Sequence, residues 1–138
     1  MHHHTNRAVL VVLVGAAVAG CGKGISAPRT VPTSGTVWFK GKPAEGVTVT
    51  LHPKFNMRFT PNGVTGADGR FLLSTAAPVD GAPPGEYSVT FELLRPGADQ
   101  RGLDTEFDVW KGKYATPDTA PNVTIGSSDT TLEPFRLD

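Results

Sequence analysis

The sequence predicts an all-β domain, an antiparallel sandwich of about seven strands. Three observations carry that prediction. The 138 residues include 16 Gly and 12 Pro, which interrupt helices and belong in turns. Apolar side chains recur at every second position over several segments, the period of a half-buried strand. Turn residues return about every ten positions, the rhythm of a sandwich.

The chain opens with a polar stretch, Met1 to Arg7, followed by Ala8 to Val18, in which every residue is apolar or glycine. Val18-Ala19-Gly20-Cys21 then resembles the lipobox of bacterial lipoproteins. The expectation is a lipoprotein signal peptide over residues 1–20, removed by cleavage before Cys21. The Cys21 thiol would take a diacylglyceryl group, and the new α-amine could be acylated, palmitate being the expected label. Two alternatives stay open: a plain secretory signal with a coincidental cysteine, and an uncleaved membrane helix. Ala8 to Gly20 is short for the latter, since a span needs about 20 apolar residues. Cys21 is the chain's one cysteine, so it forms no internal disulfide and no cysteine-rich zinc site. His2, His3 and His4 fall in the removed segment. Residues 21–33 read as a lipidated cysteine and flexible tether, able to extend about 40 Å. The sandwich is expected over 34–138.

The strands follow in order. Gly35–Phe39 is the first. In the second, Val47, Val49 and Leu51 share one face, and Thr48, Thr50 and His52 the other. Phe55, Met57 and Phe59 alternate too, either extending that strand or forming a folded loop. Asp68-Gly69 between Val64-Thr65 and Phe71-Leu72-Leu73 is the strongest hairpin signal in the chain. Glu86–Leu93 alternates cleanly, with Tyr87, Val89, Phe91 and Leu93 on one side. Thr105–Trp110, Asn122–Ile125 and Thr131–Leu137 complete the set. Pro134 confines the last to an edge or a bulge.

Four pieces in order resemble carboxypeptidase-regulatory-like (transthyretin-like) domains of small bacterial envelope lipoproteins. They are Gly35-Thr36-Val37 with Gly41-Lys42-Pro43 and Gly46-Val47-Thr48-Val49; Thr65 with Asp68-Gly69-Arg70-Phe71; Asp80 to Tyr87; and Lys113 to Pro117 with Val123-Thr124-Ile125. The resemblance spans about Ser34 to Leu137. It implies a Greek-key connection of the strands and a non-catalytic envelope role.

Charge is balanced, 13 Lys+Arg against 13 Asp+Glu, so no excess of one sign steers the chain to nucleic acid or anionic lipid. His52, the one histidine outside the leader, would face outward on its strand as a solitary imidazole. No G-x-S-x-G elbow, H-E-x-x-H pair or phosphate-cradling loop occurs, so no catalytic residue and no cofactor beyond the lipid on Cys21 is expected. Asp104, Glu106 and Asp108 share one side of a strand and are weak calcium candidates, oxygen ligands on one face. Trp38 falls out of phase with Val37 and Phe39, while Trp110 and Tyr114 flank the turn Lys111-Gly112-Lys113. These three aromatics are candidate ligand contacts, because exposed rings stack on sugars or fill a partner's pocket.

The functional expectation is a non-enzymatic protein held to a membrane by lipid, in the outer membrane or at the cell surface rather than the inner membrane. Its sandwich would serve structure or contact with an envelope protein. A carbohydrate-binding module is the alternative, and an enzymatic or metal-dependent module a third.

Overall fold

A computed structural model describes residues 26–138. The leader, any helix in it, and Cys21 lie outside the described residues. The described residues form eleven short strands: β1 Thr33–Phe39, β2 Lys42–Pro43, β3 Thr48–Pro53, β4 Asn62–Val64, β5 Arg70–Leu72, β6 Gly85–Glu92, β7 Leu94–Ala98, β8 Asp104–Asp108, β9 Asn122–Ile125, β10 Thr130–Thr131 and β11 Phe135–Leu137. The one helical element among them is a 3₁₀ turn, Pro117–Thr119. None of their helices is long and apolar enough to cross a membrane.

Two sheets face each other and make an all-β sandwich. One has the order β4-β3-β6-β9, antiparallel throughout. The other is built on β1, which pairs antiparallel with β2 and β5 and parallel with β10 and β11. That parallel pairing of the last strands with the first departs from a purely antiparallel ladder. Pro134 splits the predicted strand Thr131–Leu137 in two: β10 and β11 both lie on β1, and Leu132 to Pro134 bulge between them. Strands outnumber the seven expected through this split and through β2 and β7, which were not expected.

The period-two faces are where the sequence put them. Val47, Val49, Leu51, Tyr87 and Val89 are fully buried, and Phe91 is nearly so. Phe135 of the second sheet meets Phe91 edge to face, with ring centroids 5.0 Å apart, and Phe71 lies 6.3 Å from Phe135 on the other side. These rings join the two layers. The Tyr87 hydroxyl donates to the Pro83 carbonyl at 2.7 Å, so its polar end is satisfied where burial pushes its pKa up to about 12. Phe55 to Phe59 is a folded loop, with Phe55 against Tyr87 at 5.4 Å.

Three segments differ from the sequence-based expectation. The packed chain begins before Ser34: Val31 is buried, pairs with Ala82, and exchanges both backbone hydrogen bonds with it at 3.0 Å. An extended segment running into a sheet is tied down where its backbone finds a partner, and Val31 supplies an apolar side chain as well. The Asp68-Gly69 turn forms, closed by Gly66 accepting from Gly69 and donating to Arg70, but its strands do not make one hairpin. β4 pairs with β3 and β5 with β1, so the turn is a corner between the sheets, stitched by the bridge Asn62–Ser74. Gly69 has φ +75°, and a Cβ there would stand 2.6 Å from the Val37 carbonyl oxygen; only glycine fits. Thirdly, Thr105–Trp110 is not a sandwich strand. Its core, β8, pairs with β7 alone in a separate two-stranded sheet.

Candidate functional site

The β7–β8 ribbon is the region where the sequence and its surroundings are least matched to burial. β6 runs almost directly into β7, with Leu93 between them, so the ribbon continues the sandwich as an arm. All of β8 is exposed except the half-buried Asp108. Cross-strand partners are Leu94–Asp108, Arg95–Phe107, Pro96–Glu106, Gly97–Thr105 and Ala98–Asp104. Directly opposite residues share a face, which sorts the arm into two surfaces. Arg95, Gly97, Leu103, Thr105, Phe107 and Val109 lie on one, and Leu94, Pro96, Ala98, Asp104, Glu106 and Asp108 on the other.

The first surface is open, and three of its side chains are large and apolar, with Arg95 and Thr105 exposed among them. Leu103 is 56%, Phe107 51% and Val109 43% exposed. The Phe107 ring lies over Gly97, where an added Cβ would come within 2.8 Å of it, so the glycine is what lets the ring lie flat across the ribbon.

Aspartates organise both ends of the arm. At the tip, Asp99 Oδ1 accepts from the Arg101 and Leu103 amides at 2.8 and 3.0 Å, and Oδ2 pairs with the Arg101 guanidinium at 3.0 Å. The two backbone hydrogen bonds, from Leu103 first, hold its carboxyl below the usual range. At the base, Asp108 Oδ1 accepts from the Leu93 and Trp110 amides, each at 3.0 Å, and Oδ2 from Gly112 at 2.8 Å. Asp108 is thus a backbone cap. Of the calcium candidates, Asp104 and Glu106 remain on the exposed face, and no group of three His, Cys, Asp or Glu side chains converges among the described residues.

The three candidate aromatics are divided. Trp38 is half-buried on the outer side of β1, beside Pro43 and Arg136, with the Arg136 guanidinium 5.6 Å from its ring. Phe39, its neighbour on the opposite side of β1, contacts Trp110 at 5.1 Å, and Trp110 meets Tyr114 edge to face at 5.2 Å. The Tyr114 hydroxyl donates to the Asp138 backbone oxygen, as does Lys113 Nζ. Trp110 and Tyr114 therefore anchor the return from the arm to the body, on the far side of β1 from Trp38. His52 lies on the outer face of β3, half-buried, its Nε2 2.8 Å from the Thr90 hydroxyl. Cys21 falls outside the described residues.

Sequence reasoning missed β7. Leu94 to Ala98 contains Pro96 and Gly97, which argue against a strand, and it reads as part of a loose stretch ending at Gly102. The signal that would have found it is the turn Asp99-Gln100-Arg101-Gly102, whose aspartate and positive-φ glycine (+78°) close a hairpin.

No family model matches the chain, and no curated protein matches it. Among solved structures it is similar to a 9R-lipoxygenase from Cyanothece PCC8801, at 14% identity and a TM-score of 0.45, over 83% of this chain and 18% of that one. It is also similar to the major pilin subunit of Bacillus cereus, BcpA*(D312A), at 15% identity and a TM-score of 0.45, over 78% of this chain and 29% of that one. The chain thus spans less than a third of either protein.

Proposed function

We propose that this protein is a lipid-anchored component of a bacterial cell envelope, a transthyretin-like sandwich that serves as a platform for protein contact rather than as an enzyme. Lipid on Cys21 holds it to the membrane, at the outer membrane or cell surface, and the residues before Val31 are the tether. The β7–β8 arm is the contact element. The observation that carries this reading is the arm's apolar face: Leu103, Phe107 and Val109 are all more than two-fifths exposed on one side of a ribbon that joins no other sheet. Clustered exposed apolar side chains in a water-soluble domain mark an interaction surface.

Two variants test the two halves separately. Cys21→Ser should abolish palmitate labelling and leave the precursor uncut; normal labelling and maturation would end the lipoprotein reading. The triple variant Leu103→Ser, Phe107→Ser, Val109→Thr should label normally and lose the envelope proteins that the wild type retains after detergent extraction. Unchanged retention by that variant would remove the arm from the role given it here.

A further inference from the structure

We infer that the arm takes a partner by strand addition at the outer edge of β8, and that the added strand carries lysine or arginine at alternate positions. This rests on the arm being the contact element and specifies how contact is made. Within the ribbon, Asp99 donates to the Leu103 carbonyl and Val109 to the Leu93 carbonyl, each at 2.9 Å. Both pairs fall on odd-numbered residues in the register of β7 and β8. In an antiparallel pair, hydrogen-bonded and non-bonded pairs alternate. The inward-pointing backbone groups therefore belong to Arg95, Gly97, Thr105 and Phe107. Those of Leu94, Pro96 and Ala98 on β7, and of Asp104, Glu106 and Asp108 on β8, point away from the ribbon.

The two edges are not equal. Pro96, at the centre of β7, has no N–H to offer and blocks a ladder there. At the same level, β8 presents the Glu106 N–H and C=O, and β8 has no second strand partner among the described residues. It is a five-residue edge. Apart from β7, the other strands with a single partner are shorter: β2 and β10 with two residues each, β4, β5 and β11 with three, and β9 with four. An exposed edge of this kind is a template for another strand.

Charge selects the occupant. A second copy of β8 pairing antiparallel about Glu106 would set Glu106 against Glu106 and Asp104 against Asp108, and like charges directly opposite are destabilising. The same carboxylates favour a strand with a cation opposite Asp104 and Glu106. Its intervening side chains would lie beside Thr105 and Phe107, on the apolar face, so alternate apolar residues complete the match. The inferred partner is a protein segment with a basic–apolar alternation.

The test uses the full chain in detergent micelles and two eight-residue probes, one alternating lysine with valine and one alternating glutamate with valine. The lysine peptide should slow hydrogen exchange at the Asp104 and Glu106 amides at least tenfold, and the glutamate peptide should not. Glu106→Pro removes the outward N–H while sparing the inward ladder, and it should weaken binding of the lysine peptide at least tenfold. Asp104→Lys with Glu106→Lys should reverse the preference, and unchanged exchange at Val49 and Val89 confirms that each variant is folded. Absent protection, equal binding of the two probes, or wild-type affinity in Glu106→Pro would overturn strand addition. Protection confined to Phe107 and Val109 would overturn it too, while leaving the arm a contact surface; no effect anywhere on the arm would count against both.

Discussion

The sandwich body and the β7–β8 arm are both antiparallel β-structure, yet they are held together by different means. In the body, β3 and β6 pair over six residues, from Thr48–Glu92 to Pro53–Tyr87, and every inward side chain between Val47 and Leu51 is sealed from water. Burial there contributes most of the stability, at about 1.5–3 kcal/mol for each large apolar side chain. In the arm, five cross-strand pairs form with no second layer beneath them. A two-stranded ribbon alone is marginal in water, and this one relies on Asp99 and Asp108, whose carboxylates satisfy turn amides at its two ends. Folding does not account for the exposed Phe107 and Leu103 of the arm, and the proposed contact role rests on them.

Substitutions should separate the two regions, the largest effects falling in the body. Val49→Asp places an unpaired charge in the sealed interior and should cost more than about 4 kcal/mol, enough to unfold the domain. Thr50→Asp, on the outer face of the same strand, should cost far less. Urea titrations of the two variants check the pair, and equal costs would show that the strand phase is misassigned.

Thr65→Val should follow, at about 1–3 kcal/mol. The buried Thr65 hydroxyl donates to the Ala44 carbonyl and accepts from the Val47 amide at 2.9 Å. Valine keeps the shape and leaves both backbone groups unpaired, so the midpoint of chemical denaturation should fall with no change in its slope.

Acid should act next, and locally. Burial raises the Asp80 pKa, but amides donated by Thr75, Ala76 and Ala77 outweigh it and hold the carboxyl below its ordinary value. Asp99 is lowered as well. A folded-state pKa below the unfolded one contributes stability that is present above the unfolded value, and that stability is lost as pH falls through the folded one. The loss should therefore begin near pH 3.8, the ordinary carboxyl value, and continue below it. Asp80→Asn should flatten that part of the pH–stability curve of the body. Asp99→Asn should leave the body's curve unchanged and alter only arm amides. The smallest effect is expected from Phe107→Ser, within about 0.5 kcal/mol of wild type in global stability, as for other exposed positions.

How far the fold was legible follows the same division. Tyr87, Val89 and Phe91 alternate with polar residues because their face meets the core, so period alone located β6 and its inward side, although Ser88 and Thr90 on the other face are buried as well. The Asp68-Gly69 turn was visible too, but not that its flanks part to different sheets. That depends on Thr65 turning inward to Ala44 and Val47 while Val64 is 61% exposed, an inversion of the polarity that period arguments assume. Of the arm only one strand was legible: Thr105–Trp110 was expected as a strand and contains most of β8, whereas Pro96 and Gly97 argue against one at Leu94–Ala98, so β7 and its pairing with β8 were hidden. The candidate residues were legible as residue types and not as groups. The sequence could suggest Trp38 with Trp110, but only the path of β1 puts them on opposite sides.

Residue-resolved hydrogen exchange across the full chain tests the division between body and arm most directly. Amides at Val49, Leu51, Val89 and Phe91 should exchange only through global unfolding, with one shared free energy. Those of Gly97 and Thr105, though paired inside the ribbon, should open at a free energy well below it. If Gly97 and Thr105 exchange with the same free energy as Val89, the arm is part of the folding unit, and the idea of a stable platform bearing a separate contact ribbon is contradicted.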